Sequence, residues 1–169
     1  WIDGSLAPLQ QLAAWSLPVL LAARPERANE VAADRARIAA DTSRSAATRR
    51  ISSQIAGRAP RGAAALVAAL LARDALDDPQ VVLMALQAGA RFHVDGLGDL
   101  VRAALGSRNA RVRSAVLGVA PALHAVLEPA TRARIAEMAT QDPDPRAKQL
   151  ASRALQILGT TQSRAAPRR

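Results

Sequence analysis

The chain has 169 residues, half of them hydrophobic, and a formal net charge of +9 with a pI near 11.7. It contains no cysteine, which excludes disulfides, thiolate metal sites, thioether haem attachment and a cysteine nucleophile, and leaves the redox compartment open. Arg supplies nearly all the positive charge, Lys148 being the only lysine. Such an excess fits an anionic partner, and it reads equally as the codon bias of a GC-rich genome. The charge is uneven: net +5 over 24–61, −3 over 62–99 and +8 over 100–169. The only aromatic residues are Trp1, Trp15 and Phe92, so a core must come from Ala, Leu and Val. That composition favours close-packed helices, because Ala is the best helix former and strands favour β-branched and aromatic residues.

The chain begins at Trp1 rather than Met, which leads us to expect a processed product or one module of a longer chain. Leu6 to Arg24 reads as a buried helix. Pro8, Gln10, Gln11 and Pro18 interrupt its apolar run, and no basic segment precedes it, which favours a buried helix over the alternative of a remnant membrane-proximal segment. Pro25 to Ala56 reads as one long helix or two shorter ones, with Asp41-Thr42-Ser43 as the internal break. Its apolar stripe is thin (Val31, Ile38, Ile51, Ile55), and its polar face carries Arg35, Arg37, Arg44, Arg49 and Arg50.

From Pro60 the punctuation is clearer. The spacing of Leu66, Val67, Leu70 and Leu71 predicts a helix over 62–75. Asp77-Asp78-Pro79 ends it and starts a second over 81–90, since Asp is a good cap and Pro suits the first helical position. After Arg91-Phe92-His93-Val94, Asp95 is expected to cap a helix running to Leu105. Gly106-Ser107-Arg108-Asn109 breaks the chain, and 110–127 reads as helical with a bend at Pro121. Glu128-Pro129 opens a helix through Thr140, Asp142 to Pro145 forms a turn, and 146–158 is the last helix, closed by Gly159. Residues 160–169 read as a basic disordered tail.

Three helix starts superpose without gaps: Asp78-Pro79-Gln80-Val81, Asn109-Ala110-Arg111-Val112 and Asp144-Pro145-Arg146-Ala147. Each has a capping residue, an apolar residue three later, and small or apolar residues four and seven beyond that. One apolar stripe per helix at a 31- to 35-residue period is the signature of a helical repeat array. The stretches Asn109 to Arg113 with Val116, and Asp144 to Lys148 with Ala151, Ala154 and Leu155, resemble the second helix of HEAT repeats. The segments Leu66 to Leu71, Leu97 to Leu105, and Ile135 with Met138 look like the first. The resemblance spans about 60–158. Val82 departs from it, standing where the family has Arg, and the short period fits an armadillo-like or other α-solenoid as well. It implies an all-α, right-handed α-solenoid of stacked antiparallel helix pairs. Residues 1–59 would form a helical hairpin or degenerate repeat, 60–159 three HEAT-like pairs, and 160–169 the tail. In bacteria such segments are commonly appended to larger enzymes, including secreted electron-transfer proteins.

No spacing suggests chemistry. His93 and His124 lie in no metal-ligand pattern. Asp74, Asp77 and Asp78, and Asp95 with Asp99, sit at helix ends, where acids meet the helix dipole. Gly96 and Gly98 lack the phosphate-loop context, and Ser43, Ser45, Ser52 and Ser53 lack a nucleophile elbow. HEAT-like glycosylases that hold damaged bases would need aromatic and acidic residues on the concave surface, and Trp15 and Phe92 fall in different units. No catalytic, metal or cofactor-binding residue is expected, nor a small-molecule substrate or a membrane association. Asn109 with Arg113 and Asp144 with Lys148 read as caps with a local charge ladder between neighbouring repeats. The expected function is non-catalytic docking of another protein, or of other domains of the same complex. The alternative is nucleic-acid or polyanion binding along a basic edge of Arg108, Arg111, Arg113, Arg146, Lys148 and Arg153.

Overall fold

Proline opens most of the helices of this chain, in the first turn, where its missing N–H costs no hydrogen bond. A computed structural model describes residues 23–165, with side chains to Thr160. The described residues are all-helical: α1 (Pro25–Ala39), α2 (Ala46–Ala56), α3 (Pro60–Arg73), α4 (Pro79–Phe92), α5 (Leu97–Leu105), α6 (Ala110–Val119), a 3-10 stretch (Ala120–Val126), α7 (Pro129–Gln141) and α8 (Pro145–Ala165). The expected helix over Leu6 to Arg24, with Trp1 and Trp15, lies almost wholly outside the described residues. None of the described helices is long and apolar enough to cross a membrane.

The break between α1 and α2 falls where the turn-forming residues stand. Asp41 accepts hydrogen bonds from the Ser43 amide (3.1 Å) and hydroxyl (2.6 Å), and Ser45 caps α2 by accepting from the Thr48 amide. Asp78 and Asn109 cap α4 and α6 through the second amide of each helix. Asp95, in contrast, caps nothing. Gly96 takes the N-cap position of α5 at φ 78°, a left-handed conformation that glycine adopts without strain. Pro121 does more than bend a helix, since α6 ends at Val119 and the chain continues as 3-10 turns. Arg132 closes that stretch, donating from Nε to the Leu127 carbonyl and from Nη2 to the His124 carbonyl, both at 3.2 Å. Gly159 does not end α8. The helix runs on to Ala165, so the expected tail is helical over 160–165, and residues 166–169 lie outside the described region.

Odd-numbered helices pack on one another in sequence, as do even-numbered ones, and the two rows pack face to face. One hydrophobic cluster runs between them from Ala36 to Leu158, led by Leu66, Leu70, Leu86, Leu100, Leu117 and Ile135. At the α1 end the core differs from the sequence expectation. Val31 and Ile38 are only half-buried, and the fully buried stripe is Ala28, Ala32, Ala36 and Ala39. Helix axes come closest where side chains are smallest. Gly62 of α3 is the tightest point: a Cβ there would stand 2.3 Å from the Ala56 carbonyl oxygen and 2.5 Å from the Ala32 Cβ. Gly118 of α6 is its opposite, with nothing within 4 Å of an added Cβ.

These two glycines give a test of the packing. Gly62→Ala should destabilise the fold by about 1–3 kcal/mol through overpacking. Gly118→Ala should leave it unchanged or stabilise it by up to ~1 kcal/mol, from helix propensity alone. Urea denaturation of both variants measures this; a gain of stability in Gly62→Ala would mean that α1 and α3 are farther apart than described.

Candidate interaction surface on the even-numbered helices

Aligned on their first residues, α2, α4, α6 and α8 divide in the same way. At the second, fifth, sixth and ninth positions the side chains reach solvent or are half-buried: Ala47, Arg50, Ile51 and Gln54 on α2, and Gln80, Leu83, Met84 and Gln87 on α4. On α6 they are Arg111, Ser114, Ala115 and Gly118, and on α8 Arg146, Gln149, Leu150 and Arg153. These positions fall on one stripe of each helix. The fourth, seventh and eighth positions turn toward the neighbouring helices and are buried in α2, α4 and α6. On α8, Lys148 and Ser152 occupy the fourth and eighth positions, and they are half-buried and exposed respectively.

This division corrects the expected basic edge. Arg108, Arg111, Arg146 and Arg153 are exposed, and no ion pair involves them or Lys148 among the described residues. Arg113 is not part of the surface. Only 8% exposed, it donates from Nε and Nη2 to the two carboxylate oxygens of Asp142 at 2.8 and 2.7 Å. Its Nη1 also donates to the Ser107 and Arg108 carbonyls, at 2.9 and 3.2 Å. Arg111 and Arg113 look alike in the sequence, but two residues are some 200° around a helix, so one faces water and the other the loop before α8.

The ladder expected between neighbouring units pairs its residues differently from the sequence reading. Arg49, at the fourth position of α2, pairs in the same two-pronged way with Asp77 (both contacts 2.7 Å), and its Nε donates to the Ala39 carbonyl. Arg50 pairs with Asp78 at 2.9 Å. Between these two ties the charges are absent on both sides at once: Val82 holds the fourth position of α4, and Ser107 stands three residues before α6, the place Asp142 holds before α8. Asn109 Nδ2 supplies the link there, donating to the Asp77 carbonyl at 2.9 Å. Asp144 accepts from the Ala147 amide at 2.8 Å and serves as a cap, as expected. The signal for the long-range pairs was present in the spacing, since Asp77 and Asp142 follow Arg49 and Arg113 by 28 and 29 residues.

The guanidinium hydrogen bonds hold the carboxyls of Asp77 and Asp142 below the ordinary aspartate range, and the Asp partners raise the two arginines. Asp41 is lowered mainly by its hydrogen bonds from Ser43.

Every acid inside a described helix lies in the odd-numbered row: Glu26, Glu30 and Asp34 on α1, Asp99 on α5 and Glu137 on α7. The even-numbered helices contain no Asp or Glu. A cleft of about 440 Å³ opens at their N-terminal ends, lined by Gln80, Arg111, Ser114, Ala115, Asp144 and Arg146 together with Pro79 and Ala110. Among the described residues no three His, Cys, Asp or Glu side chains gather where a metal ion could be held. No family model matches the chain, and neither a curated protein nor a solved structure matches it.

Two consequences can be measured. Arg113→Ala should cost about 3–5 kcal/mol, because it strands the buried Asp142 carboxylate, whereas Arg111→Ala should stay within ~0.5 kcal/mol of the parent in urea denaturation. Equal effects would put both arginines on the surface. The pH dependence has a definite sign: a carboxyl whose folded pKa lies below its unfolded value of about 3.8 stabilises the fold above that pH, and the gain is lost as pH falls through the folded value. Acid titration should therefore show stability falling below about pH 4, with a smaller loss in Asp142→Asn.

Proposed function

We propose that the chain is a non-catalytic docking or scaffold module, built as a right-handed α-solenoid of HEAT-like helix pairs within a larger chain or multi-subunit complex. The observation behind it is the repeated division of the even-numbered helices. The same four positions face solvent on α2, α4, α6 and α8, so neighbouring helices contribute adjacent stripes to one extended surface. The two-row packing, with each unit tied to the next by Arg49–Asp77, Asn109–Asp77 and Arg113–Asp142, fits units that bury their apolar faces only by stacking. Extended surfaces of this kind suit another protein.

A second reading, nucleic-acid or polyanion binding, is favoured by the exposed Arg108, Arg111, Arg146 and Arg153 beside helices that hold no acids. A pull-down of the chain from its native extract, with and without nuclease and at low and moderate salt, separates the two. Docking predicts a stoichiometric protein partner that persists through nuclease and salt. Recovery of nucleic acid alone, lost at moderate salt, would instead establish polyanion binding.

A further inference from the structure

The exposed stripes of α4, α6 and α8 differ in height. On α6 the stripe past Arg111 is Ser114, Ala115 and Gly118, and the space above Gly118 is open. The flanking stripes are taller, with Leu83 on α4 and Gln149 and Leu150 on α8, whereas the Met84 side chain lies beside Gly57 at the end of α2. The result is a trench floored by α6, entered at its N-terminal end through the cleft that Arg111 and Arg146 border. Its one carboxylate, Asp144, is occupied in capping α8. Leu83 is half-buried and stands outside the core cluster, so the trench wall is partly apolar.

We infer that this trench receives an extended acidic segment of a partner protein, one that presents carboxylates to Arg111 and Arg146 and an apolar side chain to Leu83. The inference rests on the docking reading. Charge complementarity selects the sign of the partner, because two guanidinium groups without an ion pair face a surface whose helices hold no acid. The other lining groups select a polypeptide over a nucleic acid. Gln80, Gln87 and Gln149 offer both donors and acceptors, which match the N–H and C=O groups of a peptide main chain. A phosphate backbone has only acceptors to offer and makes no use of Leu83. No stripe position on the four helices carries an aromatic ring for a base to stack on. An extended peptide alternates its side chains, so one strand can direct carboxylates and apolar groups to different sides of the trench.

The test uses the full chain and fluorescence anisotropy. The probe is a labelled peptide of about five residues alternating Glu and Leu, which at ~3.3 Å per residue matches the ~15 Å length of the ten-residue α6 that floors the trench. Comparison probes are the same peptide with Lys for Glu, one with Ser for Leu, and single-stranded and duplex oligonucleotides of matched charge. The Glu-Leu peptide should bind best. R111E/R146E should weaken it about tenfold or more, with a shallower salt dependence. Gly118→Leu fills the trench floor without changing charge. It should weaken the Glu-Leu peptide several-fold while the thermal melt stays at or above that of the parent, which separates blocked binding from lost fold. Tighter binding of an oligonucleotide would overturn the inference in favour of nucleic acid. Equal binding of the Glu-Ser peptide, with no effect of Gly118→Leu, would overturn it in favour of diffuse charge attraction. If the peptide fails while a captured protein partner survives both R111E/R146E and Gly118→Leu, docking stands and the trench is the wrong surface. If capture fails as well, both readings fall.

Discussion

The helices of this chain pack at the distance that alanine and glycine permit, and that constraint organises the rest. Where Ala32 and the Ala56 carbonyl face Gly62 there is no room for one further methyl group without displacing backbone. Close approach compensates for the lack of aromatic bulk, because dispersion between backbones replaces the contact area that large side chains would bring. It also limits tolerance, since a core of small residues cannot absorb volume by rotamer changes. The leucines enter farther along, from Leu66 to Leu158, where the two rows of helices enclose one continuous cluster rather than a separate core for each pair.

A core without shape-specific aromatic residues has few devices for fixing register between units. The paired arginines and aspartates are suited to that role. A buried guanidinium is costly wherever its two-pronged partner is missing, so Arg113 tolerates only an arrangement that brings Asp142 to it. Arg49 imposes the same condition at the other end, on the more exposed Asp77. At the middle junction Val82 and Ser107 have dropped both charges together, which is what the energetics require. An arginine facing Ser107, or an aspartate facing Val82, would be a buried charge without a partner.

Much of the helix order was legible because its punctuation is chemical. Proline at a first turn and Asp or Asn at a cap leave little freedom, and Asp78 and Asn109 act as their sequence suggests. The misreadings share a cause: a local signal was outweighed by a neighbour or by packing. Asp95 is a good capping residue, but Gly96 turns the chain one residue later. Gly159 ends a helix only if the backbone leaves the helical region there, and in open space the helix continues through it. Val31 and Ile38 outrank alanine on any hydropathy scale, yet the face that packs is the one that permits the closest approach. For the interaction surface the composition was legible and the placement was not, because Arg111 and Arg113 differ only in helical phase.

That phase difference bears on how charge is distributed over the molecule. Three arginines of the even-numbered row, Arg49, Arg50 and Arg113, are tied to acids from the loops between units, while Arg111, Arg146 and Arg153 take part in no ion pair among the described residues. At the fourth position, Arg49 and Arg113 are neutralised by aspartates from the following loops and hold units together. At the second, Arg111 and Arg146 form no ion pair among the described residues, although Asp144 lines the same cleft, where it caps α8. Genomic bias toward arginine would raise the number of arginines without clearing carboxylates from the four even-numbered helices. The absence of acids inside those helices is therefore more informative than the arginine count.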